Sequence, residues 1–333
     1  MPKMYHDRAV EFNGLSLREQ VLNGKRIGIF GKGGSGKSSV TVLLAKALKK
    51  SGYDVCVLDA DSTNIGLAQA LGIEQPPAPL LDYFGGGAVA YPMDDPMPLV
   101  GADLAIDELP EAYYGRSPDG IQFFVAGKMG DKGPGARCDR PIAEIVRDFR
   151  PRFEGQQPVT LVDFRAGFED STRRSIVNLD WIVVVIDPTM AAVQMAINMQ
   201  EMVNQIRVGG GVFFVLNRVH DALTERFLRI RLAEADIEPL GVIPETPGLS
   251  MAWLMGEPVI TTPAQAEAEW IVKQLETAVN HTTLSADKCD EHLERVTWVD
   301  LAQSNHSPEV WQPRSGRNAA VAGKRPPPES YWY

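Results

Sequence analysis

The chain has 333 residues, 44% of them hydrophobic and 23% charged, with a formal net charge of -10 at pH 7. Such a length holds one large α/β unit with appendages or two modest domains, and such a composition excludes wholesale disorder, collagen and coiled coil. The acidic balance argues against nucleic-acid binding over the whole surface, and the lack of any uncharged apolar run of about 18 residues argues against a transmembrane helix.

Residues 1–24 are polar and mixed in charge, without the apolar stretch of a secretory peptide, and one helix is expected around 15–22. From Arg26 onward, short β-branched apolar runs alternate with amphipathic stretches, the signature of βαβ units and a mainly parallel sheet. Strands are predicted at 26–30, 55–58, 121–125, 160–163, 181–186, 212–216 and 239–243. Most are apolar at nearly every position, so helices should cover both faces. Helices are predicted at 37–50, 142–149, 171–179, 190–206, 221–235 and 264–280. The expected fold is therefore α/β, a doubly wound, mainly parallel sheet. Residues 75–120, rich in proline, glycine and acids, lack a period and read as a long surface insertion. Residues 304–333 read as an extended tail, because prolines and small residues bury too little surface to order themselves. The expected organisation is an extension over 1–24, a domain over 25–282 and a second extension over 283–333. Cys56, Cys138 and Cys289 are odd in number and far apart, which fits a reducing compartment, and a cytoplasmic protein is expected.

The first strand runs into Gly31-Lys32-Gly33-Gly34-Ser35-Gly36-Lys37-Ser38 and an amphipathic helix. This is a Walker A phosphate loop in its proper context. Its glycines let consecutive backbone N–H groups face phosphate oxygens, and the helix N-terminus adds partial positive charge. Gly31, Gly33, Gly34, Ser35, Gly36, Lys37, Ser38 and Ser39 are the expected nucleotide-binding residues, with Lys37 on the β and γ phosphates and the Ser38 hydroxyl on Mg²⁺. The second strand closes in Asp59-Ala60-Asp61, at the strand end where open α/β sheets bind ligands. A later apolar strand closes in Asp163, the pattern of a carboxylate that binds Mg²⁺ through water. Gly167 follows it as the candidate for a backbone switch at the γ phosphate.

With its extra Lys32, the loop resembles that of the dimeric ATPases that include MinD, ParA, the nitrogenase iron protein and the nickel-insertion (CooC-like) ATPases of carbon monoxide dehydrogenase. The resemblance covers about residues 25–280 and implies a P-loop ATPase that closes as a homodimer around ATP and Mg²⁺. It implies that Lys32 reaches the partner protomer's phosphates, doing the work of an arginine finger. It also implies that Asp59 helps hold Mg²⁺, that Asp61 orients the attacking water, and that Asn217 and Arg218 contact adenine while Pro244 and Glu245 close over it. The run from Asp163 to Glu169 (DFRAGFE) resembles the switch of the nickel-insertion ATPases. In that group a Cys-x-Cys-Pro segment is implicated in binding metal between protomers; here Cys138 matches the first thiol and Arg140 replaces the second. One thiol per protomer still allows a shared Ni²⁺ or Zn²⁺ site. Ala166 stands where the iron protein has its second cluster cysteine, so a four-cysteine cluster is not expected. The favoured role is an accessory factor in metalloenzyme maturation, with a client protein as partner and no nucleic acid. The alternatives are a positioning or partition ATPase and a regulatory ATP-binding scaffold.

Overall fold

The computed structural model describes residues 20–61, 66–84, 103–105, 109–127, 140–152, 157–166, 176, 178–206, 210–260 and 263–286. The chain divides into Met1–Ser285 and Ala286–Tyr333, and the fold below is that of the first unit. Ten strands are described: β1 (Arg26–Gly31), β2 (Val55–Asp59), β3 (Asp103–Ala105), β4 (Gly115–Arg116), β5 (Gln122–Val125), β6 (Arg150–Arg152), β7 (Val159–Asp163), β8 (Trp181–Ile186), β9 (Val212–Val219) and β10 (Gly241–Pro244). Eight form one sheet in the order β10-β9-β8-β1-β7-β2-β5-β4. Its pairings are parallel except at the β4 edge, which is antiparallel to β5. A separate parallel pair joins β3 to β6.

The described helices are α1 (Lys37–Lys50), α2 (Leu67–Ala70), α3 (Leu80–Tyr83), α4 (Arg140–Asp148), α5 (Met190–Ile206), α6 (Ala222–Ala233), α7 (Pro247–Met255) and α8 (Pro263–Ala286). Side chains alternate between faces along each strand, so the sheet separates two cores. On β8, Trp181, Val183 and Val185 join one core with α1, α2 and α8, whereas Ile182, Val184 and Ile186 join the other with α4, α5 and α6. The doubly wound fold with helices on both faces is therefore present. α1 lies across β1, β2 and β7 with Val40, Leu43, Leu44 and Leu48 buried, each worth about 1.5–3 kcal/mol of burial. That packing fixes the direction in which the loop before α1 opens.

The element boundaries differ from expectation in places that matter. β9 runs three residues beyond 216, so Asn217 and Arg218 lie within its paired end rather than in a turn. α7 was not foreseen: Pro247 opens it and its residues are apolar almost all round, leaving no amphipathic period to read. The described parts of 75–120 are not merely surface. Leu80, Leu81 and Leu109 are buried in the α4–α5 core, and Gly115–Arg116 extends the sheet. Proline spacing hid them, because short buried elements carry no period. The predicted helix at 171–179 falls outside the described residues except for Ile176, Asn178 and Leu179. Among the described residues, no helix is long and apolar enough to cross a membrane.

Candidate nucleotide site

The ends of β1, β2, β7 and β9 converge at one edge of the sheet. Asp59 and Asp163 are paired across β2 and β7, and Ile29 of β1 is level with Asp163. The Gly31–Gly36 loop leaves β1 directly above this row. Gly31 has no room for a side chain, since a Cβ there would lie 2.7 Å from the Val185 carbonyl oxygen. Gly36 holds φ +86° at the N-cap of α1, and a Cβ there would run into the amide of Asn217; both constraints select glycine.

Lys37, the first residue of α1, is buried at 7% exposure. Among the described residues its ammonium donates only to the Lys32 carbonyl, at 3.3 Å. Burial lowers its pKa, opposed by the charges of Asp163 and Asp61. Ser38 donates to Asp163 Oδ2 at 2.6 Å, and the Thr41 hydroxyl lies 3.2 Å from Oδ1 and 3.0 Å from the Lys37 carbonyl. Asp163 is fully buried, and desolvation pushes its pKa up to about 6 against the opposing effects of Ser38, Lys37 and Thr41. Asp59 is buried and its Oδ1 accepts the Asp61 N–H at 3.0 Å, which pins the turn carrying the half-buried Asp61. Ser35 is fully buried and its Oγ has no partner among the described residues.

A buried carboxylate is held partly toward its neutral form, and hydroxyl and carboxylate oxygens cluster beside it. Such hard oxygen donors fit Mg²⁺, with Ser38 and Asp163, and Asp59 beside them, as the residues to hold it. Lys32, Gly33 and Gly34 are exposed on the rim, while Ser39 is buried behind the loop. Asn217 is 2% exposed and its Nδ2 donates to the Ser35 carbonyl at 2.7 Å. Arg218 donates from Nη1 to the Gly34 carbonyl at 2.7 Å, and Glu245 Oε2 lies 3.9 Å from its Nε. Arg218 has φ 58°, a conformation costing a non-glycine residue about 1–3 kcal/mol. Pro244 ends β10 beside Val219. Gly167 and Cys138 lie outside the described residues.

Thr41 was missed by sequence reasoning, although its place three residues after Ser38 puts it on the same helix face. Among the described residues, no cluster of three or more His, Cys, Asp or Glu side chains suited to a metal ion is present.

Residues 29–259 match the CobQ/CobB/MinD/ParA nucleotide binding domain. The chain belongs to that family. An uncharacterized ATP-binding protein of Methanocaldococcus jannaschii is 32% identical over 239 residues, covering 70% of this chain and 92% of that protein. The carbon monoxide dehydrogenase accessory protein CooC of Rhodospirillum rubrum is 27% identical over 225 residues, covering 66% of this chain and 83% of CooC. In fold, the chain is similar to the septum site-determining protein MinD of Pyrococcus horikoshii, solved with Mg-ADP. That likeness has a TM-score of 0.52 and 19% identity, and covers 80% of this chain and 99% of MinD. Membership in the family makes residues 29–259 a nucleotide-binding domain.

Proposed function

We propose that this chain is a Mg²⁺-dependent ATPase that works as a nucleotide-switched homodimer and serves the assembly of a metalloenzyme's metal centre. The observation that carries the ATPase reading is the row of buried Lys37, half-buried Ser38 and buried Asp163, in which a lysine with one weak hydrogen-bond partner among the described residues lies near a carboxylate whose pKa burial raises. A nucleotide's phosphates would take the Lys37 ammonium from the Lys32 carbonyl, with the loop's N–H groups around them. Ser38, Asp163 and Asp59 would hold Mg²⁺, whose charge would neutralise phosphate oxygens. Asp61, fixed by its N–H bond to Asp59, orients the attacking water. Lys32, exposed on the rim, would reach the partner protomer's phosphates, and Pro244 and Glu245 would border the base.

The maturation role is supported by the 27% identity with CooC across 66% of the chain. Within that reading, a Ni²⁺ or Zn²⁺ ion is cargo, and Cys138 is the thiol expected to take it. The test is twofold. ATP hydrolysis by Asp61→Asn should fall at least about 100-fold while Mg-ATP binding persists and the dimer accumulates in sedimentation; undiminished turnover would contradict the assignment. Anaerobic titration with Ni²⁺ or Zn²⁺ should show near half an ion per protomer, lost in Cys138→Ser; binding indifferent to Cys138 would remove the thiol from the reading.

A further inference from the structure

The loop's capacity to bind an anion depends on which way its peptide groups face, and β9 holds two of them. Asn217 Nδ2 donates to the Ser35 carbonyl and Arg218 Nη1 to the Gly34 carbonyl, each at 2.7 Å. In a trans peptide the carbonyl and the next N–H point opposite ways, so these bonds turn the N–H groups of Ser35 and Gly36 away from β9. The Ser35 N–H meets the Lys32 carbonyl at 3.1 Å, the same oxygen that accepts from the Lys37 ammonium. The two held peptides thus set where the loop presents its donors.

Consecutive strand residues ordinarily point to opposite faces. Here the β9–β10 register slips: Ile243 is level with Asn217, but Pro244 is level with Val219. Arg218 is left as the extra residue of a bulge, in the left-handed region. A bulge re-aims a side chain, and this one brings two neighbouring residues to the same loop. Glu245 supports the arrangement from the other side. Its N–H bonds the Val219 carbonyl at 3.0 Å, its Oε2 faces Arg218, and its Oε1 accepts from Ser250 of α7 at 3.0 Å.

We propose that Asn217 and Arg218 form a clasp that sets the phosphate loop in its receiving shape before any nucleotide arrives, with Glu245 tying the clasp to α7. Both are positioning residues acting through the loop backbone. The inference rests on reading the loop as a nucleotide site, and it makes affinity for the phosphates, rather than for the base, depend on Arg218.

The test is amide hydrogen exchange over 33–36 in the nucleotide-free full chain, for wild type, Arg218→Ala, Arg218→Lys and Glu245→Gln. It is paired with titrations of Mg-ATP and of inorganic tripolyphosphate. Exchange in Arg218→Ala should quicken about tenfold, the cost of a charged hydrogen bond of ordinary strength. Arg218→Lys should recover much of the protection, and Glu245→Gln should show a smaller rise. Affinity for Mg-ATP and for tripolyphosphate should fall by the same factor in Arg218→Ala. Unchanged exchange would overturn the clasp, as would an affinity loss confined to Mg-ATP, which would make Arg218 a base contact. Should the wild-type chain take up neither ligand, the nucleotide reading has failed, and the exchange comparison still decides the clasp.

Discussion

Two cations are buried near β1, and their surroundings differ in kind. Arg26 opens the strand at 2% exposure; its terminal guanidinium nitrogens donate to the carbonyls of Val146 and Phe149, its N–H bonds Asp180, and burial pushes its pKa down to about 9. It closes the C-terminal end of α4 and holds two layers together. Lys37 follows the loop at the other end of β1, with burial also lowering its pKa, yet its one hydrogen bond among the described residues is a long one to a carbonyl. Burial that is answered by protein partners builds structure. Burial left largely unanswered, beside a Ser35 hydroxyl with no partner among the described residues and a carboxylate raised to about 6, is the pattern expected of a ligand site.

Substitution should separate the two cations. Lys37→Ala should lower Mg-ATP affinity by at least about 100-fold in calorimetry, with stability to urea within about 1 kcal/mol of wild type, because a poorly partnered buried charge is removed. Equal losses of affinity and stability would erase the distinction. Arg26→Met should reverse the pattern, costing about 3 kcal/mol in urea unfolding by orphaning the carbonyls at the end of α4, with Mg-ATP affinity of the folded protein unchanged.

The comparison sharpens with pH. Asp163 has a folded pKa of about 6, above the 3.8 of an exposed aspartate. The nucleotide-free protein therefore draws stability from this group that is fully present below about pH 4 and is lost as pH rises through about 6. Relative to Asp163→Asn, wild type should gain on the order of 2 kcal/mol between pH 7 and pH 4 in unfolding experiments. Mg-ATP affinity should move oppositely, weakening below about pH 6 as the proton competes with the metal. The smallest effect belongs far from the site. Tyr53 donates to Glu276 at 2.8 Å between α8 and the turn before β2, and Tyr53→Phe should cost about 1 kcal/mol of stability with no change in nucleotide affinity.

What could be read from sequence follows the same division. The positions of the loop, Lys37, Ser38, Asp59 and Asp163 were legible, because a glycine-rich run between an apolar strand and an amphipathic helix, and acids closing apolar strands, are local patterns that the structure places at neighbouring strand ends. The strands of the sheet centre were legible as apolar runs with both faces covered. Arg26 was not: a basic residue at the start of a strand looks solvent-facing until α4 is seen to end above it. Thr41 looked like an ordinary helix residue until Asp163 was found beside it. Arg218 could not be placed without the register slip, which depends on how β10 pairs. Leu80, Leu81 and Leu109 lay hidden among prolines, where burial is decided by tertiary packing and no period announces it.

The central claim is that each nucleotide site is completed by the other protomer's Lys32, and complementation tests it most directly. Lys32→Ala and Lys37→Ala proteins should each hydrolyse Mg-ATP far more slowly than wild type. Mixed, they can form heterodimers in which an intact phosphate loop meets an intact Lys32 from the other chain. The expected result is recovery of a substantial share of wild-type turnover on mixing, rising with total protein concentration. A mixture no more active than its two components, or full activity of Lys32→Ala alone, would contradict it.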